Sequence, residues 1–374
     1  MIFPNELFLY LRRIGFLIRK ELLALLKDKR SRTILVVPVF FQSLVFGYAA
    51  SFDLRSAPYA VVDACGCKAS ADFLAKVDAG GVFRRIGTLA GASQIEEAVL
   101  GGDAAAVISI PSDFEAKLRK GEAAPVQLIL DGRNSVTSGL ASAYLSSIAS
   151  SFGAEFTGRA AAVALERRAW FNPNLDTRWT ILVSLIAVLS FIQTLLTAAF
   201  SVAREREQGT FDQLLVTPLS PAQILIGKAV PPVLVGLVQS SLILLIIRFW
   251  FGIPMAGGGL LLYAGLLTFN LAVVGIGLSI SALASTMQQA MLYAFFVSVP
   301  SIVLAGFITP VSNMSAFLQQ ATYAVPLRFG VDIAKRVYLQ GAGPADVWGS
   351  FLPLVAVAAL SLPLAAWLFR HKLS

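Results

Sequence analysis

Charge is scarce in this chain: only 14% of its 374 residues are Asp, Glu, Lys or Arg, where a soluble domain carries about a quarter. Histidine occurs once, as His371, and cysteine twice, as Cys65 and Cys67. That supply leaves no basis for His-centred catalysis, and no zinc framework, which takes about four ligands. A phosphate-cradling Gly-x-x-x-x-Gly-Lys-Ser/Thr loop is also missing. The single Gly-Lys pair, Gly227-Lys228, is followed by Ala229. If the chain moves cargo uphill, a separate polypeptide supplies the energy. The net charge of +8 is not accompanied by a basic stripe interleaved with aromatics, so nucleic acid is not an expected partner. Cations gathered at one face of a bilayer account for it better.

What the chain has in quantity is apolar length. Hydrophobic residues make up 56% of it and the mean hydropathy is +0.73. At about 1.5 Å rise per residue, about 20 apolar residues cross a bilayer core. Thr180–Val202, Ile224–Phe251, Leu260–Ala284, Met291–Val311 and Val347–Phe369 reach that length, and Thr33–Ala50 is a shorter sixth. Lys228 and Arg248 sit near the two ends of Ile224–Phe251 and are expected to snorkel to the headgroups. None of these runs holds Asp, Glu or His, which argues against proton- or sodium-coupled transport and against an intramembrane enzyme. Their neutral polar residues, Gln193, Gln239 and Asn270, are expected to tie helices together.

Orientation follows from the basic segments. Arg12, Arg13, Arg19, Lys20, Lys27, Lys29, Arg30 and Arg32 precede the first run, Arg204, Arg206 and Lys228 mark the segment between the second and the third, and Arg370 and Lys372 come after the last. With about six spans all of these lie on one side, which the positive-inside rule makes cytoplasmic, and both termini with it. The first apolar run begins too late, behind too many basic residues, for an ordinary cleaved signal peptide. Residues 1–32 carry Leu7, Leu11, Ile14, Ile18, Leu22 and Leu25 at helical spacing among Arg and Lys. That pattern predicts a basic amphipathic helix on the inner leaflet.

Residues 51–178 are polar and mixed in charge. Strand patterns at Tyr59–Val62, Val82–Ile86, Ala104–Ile110 and Val126–Leu130 alternate with helical ones at Ala69–Val77, Ser93–Leu100 and after Asp113. The alternation predicts a small α/β domain. Outside the cytoplasm Cys65 and Cys67 are expected either as two free thiols or as one tight bridge. From Ser135 a long helical pattern runs on toward the second span, as a stalk. The fold class expected is therefore a polytopic α-helical membrane protein of about six transmembrane helices. Its α/β extracytoplasmic domain is inserted between helices 1 and 2. The domains run 1–32, 33–50, 51–178 and 179–374, the last with a cytoplasmic loop at 203–221.

That loop reads Arg204-Glu205-Arg206-Glu207-Gln208-Gly209-Thr210-Phe211-Asp212-Gln213-Leu214-Leu215-Val216-Thr217-Pro218. Phe211, Leu214 and Leu215 share one helical face, Gly209 allows a break from the span and Pro218 bounds the short helix. A charged turn with a small apolar face suits docking into a soluble partner. Arg204–Pro218 resembles the signature loop of ABC-2-type transporter permeases, the membrane subunits of ATP-driven exporters. Gly306-Phe307-Ile308-Thr309-Pro310, Asn313-Met314, Pro326-Leu327-Arg328-Phe329 and Arg336–Gly341 resemble a second part of the family's pattern. The layout of one span, a large external domain and five further spans is similar too. The nearest likeness is to bacterial drug-efflux-type permeases with a periplasmic insert; Cys65-Gly66-Cys67 departs from it.

The resemblance implies a transport subunit in a bacterial inner membrane that is not itself an enzyme. ATP and Mg would be bound by a partner ATPase, with no cofactor on this chain. Glu205, Arg206, Glu207, Gly209, Thr210, Phe211, Leu214 and Leu215 would dock in a cleft of that ATPase. A second permease copy or a homologous permease would complete the pathway, Thr309–Gly341 would form short helices dipping into the outer leaflet, and a periplasmic adaptor would meet the insert. The cargo would be drug-like or lipid-like. The alternative from a different class is a membrane receptor whose external domain senses a ligand; it leaves the docking-type loop unexplained.

Overall fold

The computed structural model describes residues 4–27, 29–49, 57–91, 93–101, 103–130, 135–158, 176–211, 216–217 and 219–371. The chain divides into two compact units, Met1–Ser51 with Trp170–Ser374, and Phe52–Ala169.

The second unit is the expected α/β domain. Its elements are β1 (Ala57–Asp63), α3 (Lys68–Ala79), β2 (Phe83–Thr88), α4 (Ser93–Leu100), β3 (Ala106–Ile110), α5 (Phe114–Lys120), β4 (Gln127–Leu130) and α6 (Ser135–Thr157). Strand order is β2-β1-β3-β4, with β1 parallel to β2 and β3, and β4 antiparallel to β3. The chain steps from β1 out to β2, then back across to β3. Right-handed crossovers in opposite directions put α3 and α4 on opposite faces. Burial alternates accordingly along the strands. Tyr59, Val61, Ala106 and Ile108 pack with Phe73 and Phe114 on one face. Ala60 and Val107 pack with Ile95 and Val99 on the other. The expected stalk differs: α6 buries Ala141, Leu145 and Phe152 in this core, so over its described length it is a structural layer of the domain. Cys65 and Cys67 form a disulfide, which settles the two alternatives in favour of the bridge. The turn is held by Asp63, whose Oδ1 accepts from the backbone N–H of Cys65 and Gly66, each at 3.0 Å.

Tyr59 is fully enclosed, and its hydroxyl donates to Asp78 Oδ1 while accepting from Arg85 Nε at 3.1 Å. Burial, with the Asp78 hydrogen bond, pushes that hydroxyl up to about 12 from 10.0. A raised folded value means that the neutral form is the stabilising one. Its contribution is complete below pH 10 and is lost as pH rises toward 12. Tyr59→Phe is expected to lower the thermal midpoint of the insert at neutral pH by the equivalent of about 1 kcal/mol, and to remove the alkaline loss between those values. Circular dichroism melts at stepped pH measure both.

The first unit is helical: α1 (Pro4–Lys27), α2 (Lys29–Ala49), α7 (Thr177–Glu207), α8 (Pro221–Leu245, continued by a π turn at Ile246–Trp250), α9 (Gly259–Leu283), α10 (Met287–Leu304), α11 (Ala316–Ala321), α12 (Pro326–Gln340) and α13 (Pro344–His371). Among the described residues five helices are long and apolar enough to cross a membrane: Thr177–Glu207, Ala222–Trp250, Gly259–Leu283, Met287–Leu304 and Pro344–His371. The expected first span lies in α2, whose apolar stretch Val36–Tyr48 is shorter. α10 ends at Leu304 rather than running to Val311, and α8 continues through Pro231 and Pro232.

α7 is buried on nearly every side, because its apolar residues run all round the helix. Neighbours approach it through small residues: Gly277 of α9 sits against Leu195 and Ala198, and Gly236 of α8 against Thr194. Asn270, fully buried, receives the Thr194 hydroxyl at 2.7 Å and donates to the Leu266 carbonyl at 2.8 Å, so it does tie α9 to α7. α12 is amphipathic and also internal, burying Leu327, Ile333, Val337 and Tyr338. By contrast α10 and α13 present Phe295, Phe296, Leu360 and Trp367 outward.

Candidate functional site

The site is built at the end of α7 that carries the signature residues. The helix does not stop at Val202 but runs on to Glu207, so Arg204–Glu207 form its last turn. The Gln208 N–H bonds back to the Arg204 carbonyl at 3.0 Å, Gly209 takes a left-handed φ of +67°, and the Thr210 N–H returns to the Glu205 carbonyl at 2.9 Å. This is the glycine-closed helix end, which needs a residue without a Cβ penalty. The turn throws Phe211 back onto the bundle, where it is 8% exposed among Ala198, Val202, Val233, Leu278 and Phe369.

Glu205 points inward as well. Its Oε1 lies 2.7 Å from Lys20 Nζ on α1, and its Oε2 lies 2.8 Å from Lys228 Nζ on α8. Lys228 also reaches Glu21 Oε1 of α1 at 3.1 Å and the Ser201 carbonyl at 3.4 Å. Glu205 Oε2 lacks a hydrogen bond of good geometry, so the approach of Lys228 satisfies it as a charge. The four groups balance, two ammonium ions against two carboxylates, and the Lys228 side chain is wholly buried. Removing an ammonium from such a set leaves carboxylate charge unmatched in a low-dielectric place.

Arg206 and Glu207 hold a third and a fourth neighbour. Arg206 Nη1 donates to the Ala282 and Ala284 carbonyls at 2.8 and 3.2 Å, and its guanidinium lies over the Phe211 ring, 5.0 Å from the centroid. Glu207 accepts from the Met287 N–H at 2.7 Å, at the start of α10. The last turn of α7 is thus bonded to α1, α8, the end of α9 and the beginning of α10.

Of the residues expected to dock, Glu205, Arg206 and Phe211 therefore spend their side chains within the chain. Glu207, Gly209 and Thr210 are exposed, as is Val216 farther along the loop. Leu214 and Leu215 lie outside the described residues. Lys228 does not snorkel: its ammonium is caged by Glu21 and Glu205. The sequence held one signal for this, a lysine four residues inside an apolar run, which demands a countercharge. Nothing in it named Glu21, because the pair is separated by 207 residues. The helix on which Glu21 lies also departs from its expected stripe. Among its residues of described burial Ile14 and Leu17 are the buried ones, and Leu17 fills a notch at Gly227, whereas Leu11 is exposed. α1 is seated on α8.

The whole chain has known relatives. The sequence pattern described as "ABC-2 family transporter protein" matches residues 29–367. The Escherichia coli (strain K12) protein described as "Probable multidrug ABC transporter permease YbhR" is 38% identical over 96% of this chain and 99% of its own length. "Probable multidrug ABC transporter permease YbhS" of the same organism is 27% identical over 96% of each chain. "Inner membrane transport permease YhhJ", also of that organism, is 28% identical over 97% of this chain and 98% of its own.

Proposed function

This chain belongs to the ABC-2 family of transporter proteins, and from that premise we propose that it is the permease subunit of an ATP-driven exporter, coupled to a separate ATPase through the turn after α7. ATP and Mg belong to that ATPase, and this chain is a multi-pass membrane protein without hydrolytic chemistry of its own. The observation that carries the reading is the division of labour in the signature segment. Glu205, Arg206 and the Glu207 carboxylate grip α1, α8, α9 and α10, while Gly209, Thr210 and Val216 stay exposed beside the exposed Glu207. A push delivered to the exposed turn reaches four other helices through ion pairs and hydrogen bonds rather than through a loose loop.

The remaining parts are assigned on the same reading. α2 serves as a sixth span, which makes the α/β insert periplasmic and both termini cytoplasmic in an inner membrane. The outward apolar faces of α10 and α13 meet lipid or a second permease copy, which supplies the other half of a pathway. The insert is the surface for a periplasmic adaptor. Multidrug names among the relatives favour a drug-like or lipid-like cargo. A ligand-sensing receptor is not favoured, because relatives matching nearly the whole chain carry permease names.

The docking reading is tested with Val216, which is 85% exposed and free to change without disturbing the bundle. Val216→Asp is expected to lower co-purification of a co-expressed ATPase at least about fivefold, ~1 kcal/mol, with permease yield unchanged. Phe211→Asp is expected to lower the yield itself, because it places a carboxylate in an apolar cluster. Equal ATPase recovery with Val216→Asp and with the parent chain rules the turn out as the docking element.

A further inference from the structure

The connection between α10 and α13, with the start of α13, borders a half-open pocket of about 440 Å³ that includes Arg328, Asp332, Lys335, Arg336, Asp346 and Ser350 in its wall. It lies at the end of the bundle opposite the signature turn. α9 ends and α10 begins beside Arg206 and Glu207, and α10 then runs away from them to Leu304.

The charges in this wall are unevenly matched. Asp332 is committed to Arg336 Nε at 3.0 Å and to the Ser350 hydroxyl at 2.6 Å. Asp346 Oδ2 accepts the Gly343 N–H at 2.9 Å. Arg328 pairs with no carboxylate among the described residues: it donates to the Thr322 hydroxyl and the Gln319 carbonyl, and its guanidinium lies 4.5 Å from the centroid of the Tyr323 ring and 5.2 Å from that of Phe329. Lys335, half-buried, makes no hydrogen bond or ion pair among the described residues and feels Asp332 only through space. Burial lowers its proton affinity from the ordinary lysine value. An ammonium desolvated with no carboxylate bonded to it gains from an anion that enters. Tyr323, 56% exposed, lines the pocket, and the same connection also exposes Ile308 (65%) and Phe317 (77%), apolar surface that suits an apolar tail and not a free ion.

From this juxtaposition we infer that the pocket is a binding site for the oxyanion head of an anionic amphiphile, with Lys335 and Arg328 facing the head and the exposed apolar residues of the same connection, Tyr323, Ile308 and Phe317, carrying its apolar part. The assignment bears on cargo class only through the exporter reading; the binding itself does not depend on it.

Phosphatidylglycerol, phosphatidylcholine and inorganic phosphate serve as probes, titrated onto detergent-purified full-length permease and followed by native mass spectrometry. Phosphatidylglycerol is expected to bind about tenfold more tightly than phosphatidylcholine. Lys335→Gln, which breaks no bond in the structure, is expected to remove about three- to tenfold of that preference, and Lys335→Arg to keep most of it. Inorganic phosphate competing as well as the lipid would make this a free-ion site and overturn the amphiphile assignment. Equal binding of the two lipids, or an undiminished preference in Lys335→Gln, overturns it as well. ATPase recovery from the same preparations is a separate readout. A permease that selects the anionic lipid but retains no ATPase sinks the exporter reading and leaves this site standing.

Discussion

Lys228→Met is expected to destabilise the membrane unit by about 3–5 kcal/mol, enough to remove most folded protein from the membrane. The wild-type ammonium is buried and lies 2.8 Å from Glu205 and 3.1 Å from Glu21. Methionine matches its length but leaves two carboxylates facing each other with only the half-exposed Lys20 to compensate. The loss is one of uncompensated charge rather than of attraction, so removing charge of the opposite sign restores it. Lys228→Met combined with Glu205→Gln is expected to recover at least half of the lost stability, since Lys20 then remains with Glu21. Thermal unfolding in detergent, with the four chains of the double-mutant cycle, measures the coupling. A cycle in which the two substitutions simply add would refute the shared cage. Glu205→Gln alone is expected to be milder, because Lys228 keeps Glu21. Its informative readout is ATPase coupling, since it loosens the tie between α7 and α1 while leaving the exposed turn intact.

Gly236→Val is the second substitution of large expected effect. A Cβ at that position would overlap Asn270 Oδ1 and Thr194 Oγ1, and both groups are fully buried. They cannot retreat, since Thr194 is already bonded to Asn270 at 2.7 Å and Asn270 to the Leu266 carbonyl at 2.8 Å. α8 must therefore move away from α7 and α9, opening a gap along the centre of the bundle. The expected cost is about 3 kcal/mol or more, from overpacking and from polar groups stripped of partners. Gly15→Ala provides the contrast: a Cβ there meets nothing within 4 Å, and alanine in a helix interior is expected to stabilise by about 0.5–1 kcal/mol. Yield and unfolding temperature of both variants, measured side by side, separate a steric requirement for glycine from mere tolerance of it. Similar behaviour of the two would mean that α8 does not approach α7 as closely as described.

The contrast between the two halves of the signature segment shows where reading by pattern works and where it stops. The helical face of Phe211, Leu214 and Leu215 reads from the sequence as a docking surface, because apolar spacing reports that a face is buried. Spacing carries no label for the partner, and for Phe211 the partner is the chain's own bundle. Glu205 is equally ambiguous in the sequence, a charge beside a span end that suits water and a buried cation alike. Gly209 takes the expected break, because a left-handed turn is a local property of one residue. In the insert, the strand and helix order is readable from alternation, and the strand order from nothing but the fold.

What this sequence determined by itself is local in origin: a membrane class from apolar runs, an α/β insert from alternating patterns, and a family from a contiguous signature. Each depends on residues that are neighbours along the chain, and solvent reads neighbours before any fold exists. The tertiary structure alone decided which groups meet. It closed Cys65 on Cys67, and it caged Lys228 with a glutamate 207 residues away. It also left Lys335 beside a pocket with no ion pair among the described residues. The physical reason is that a buried charge takes whichever partner the packed helices bring within a few ångströms, and that distance is set by packing, not by position in the chain.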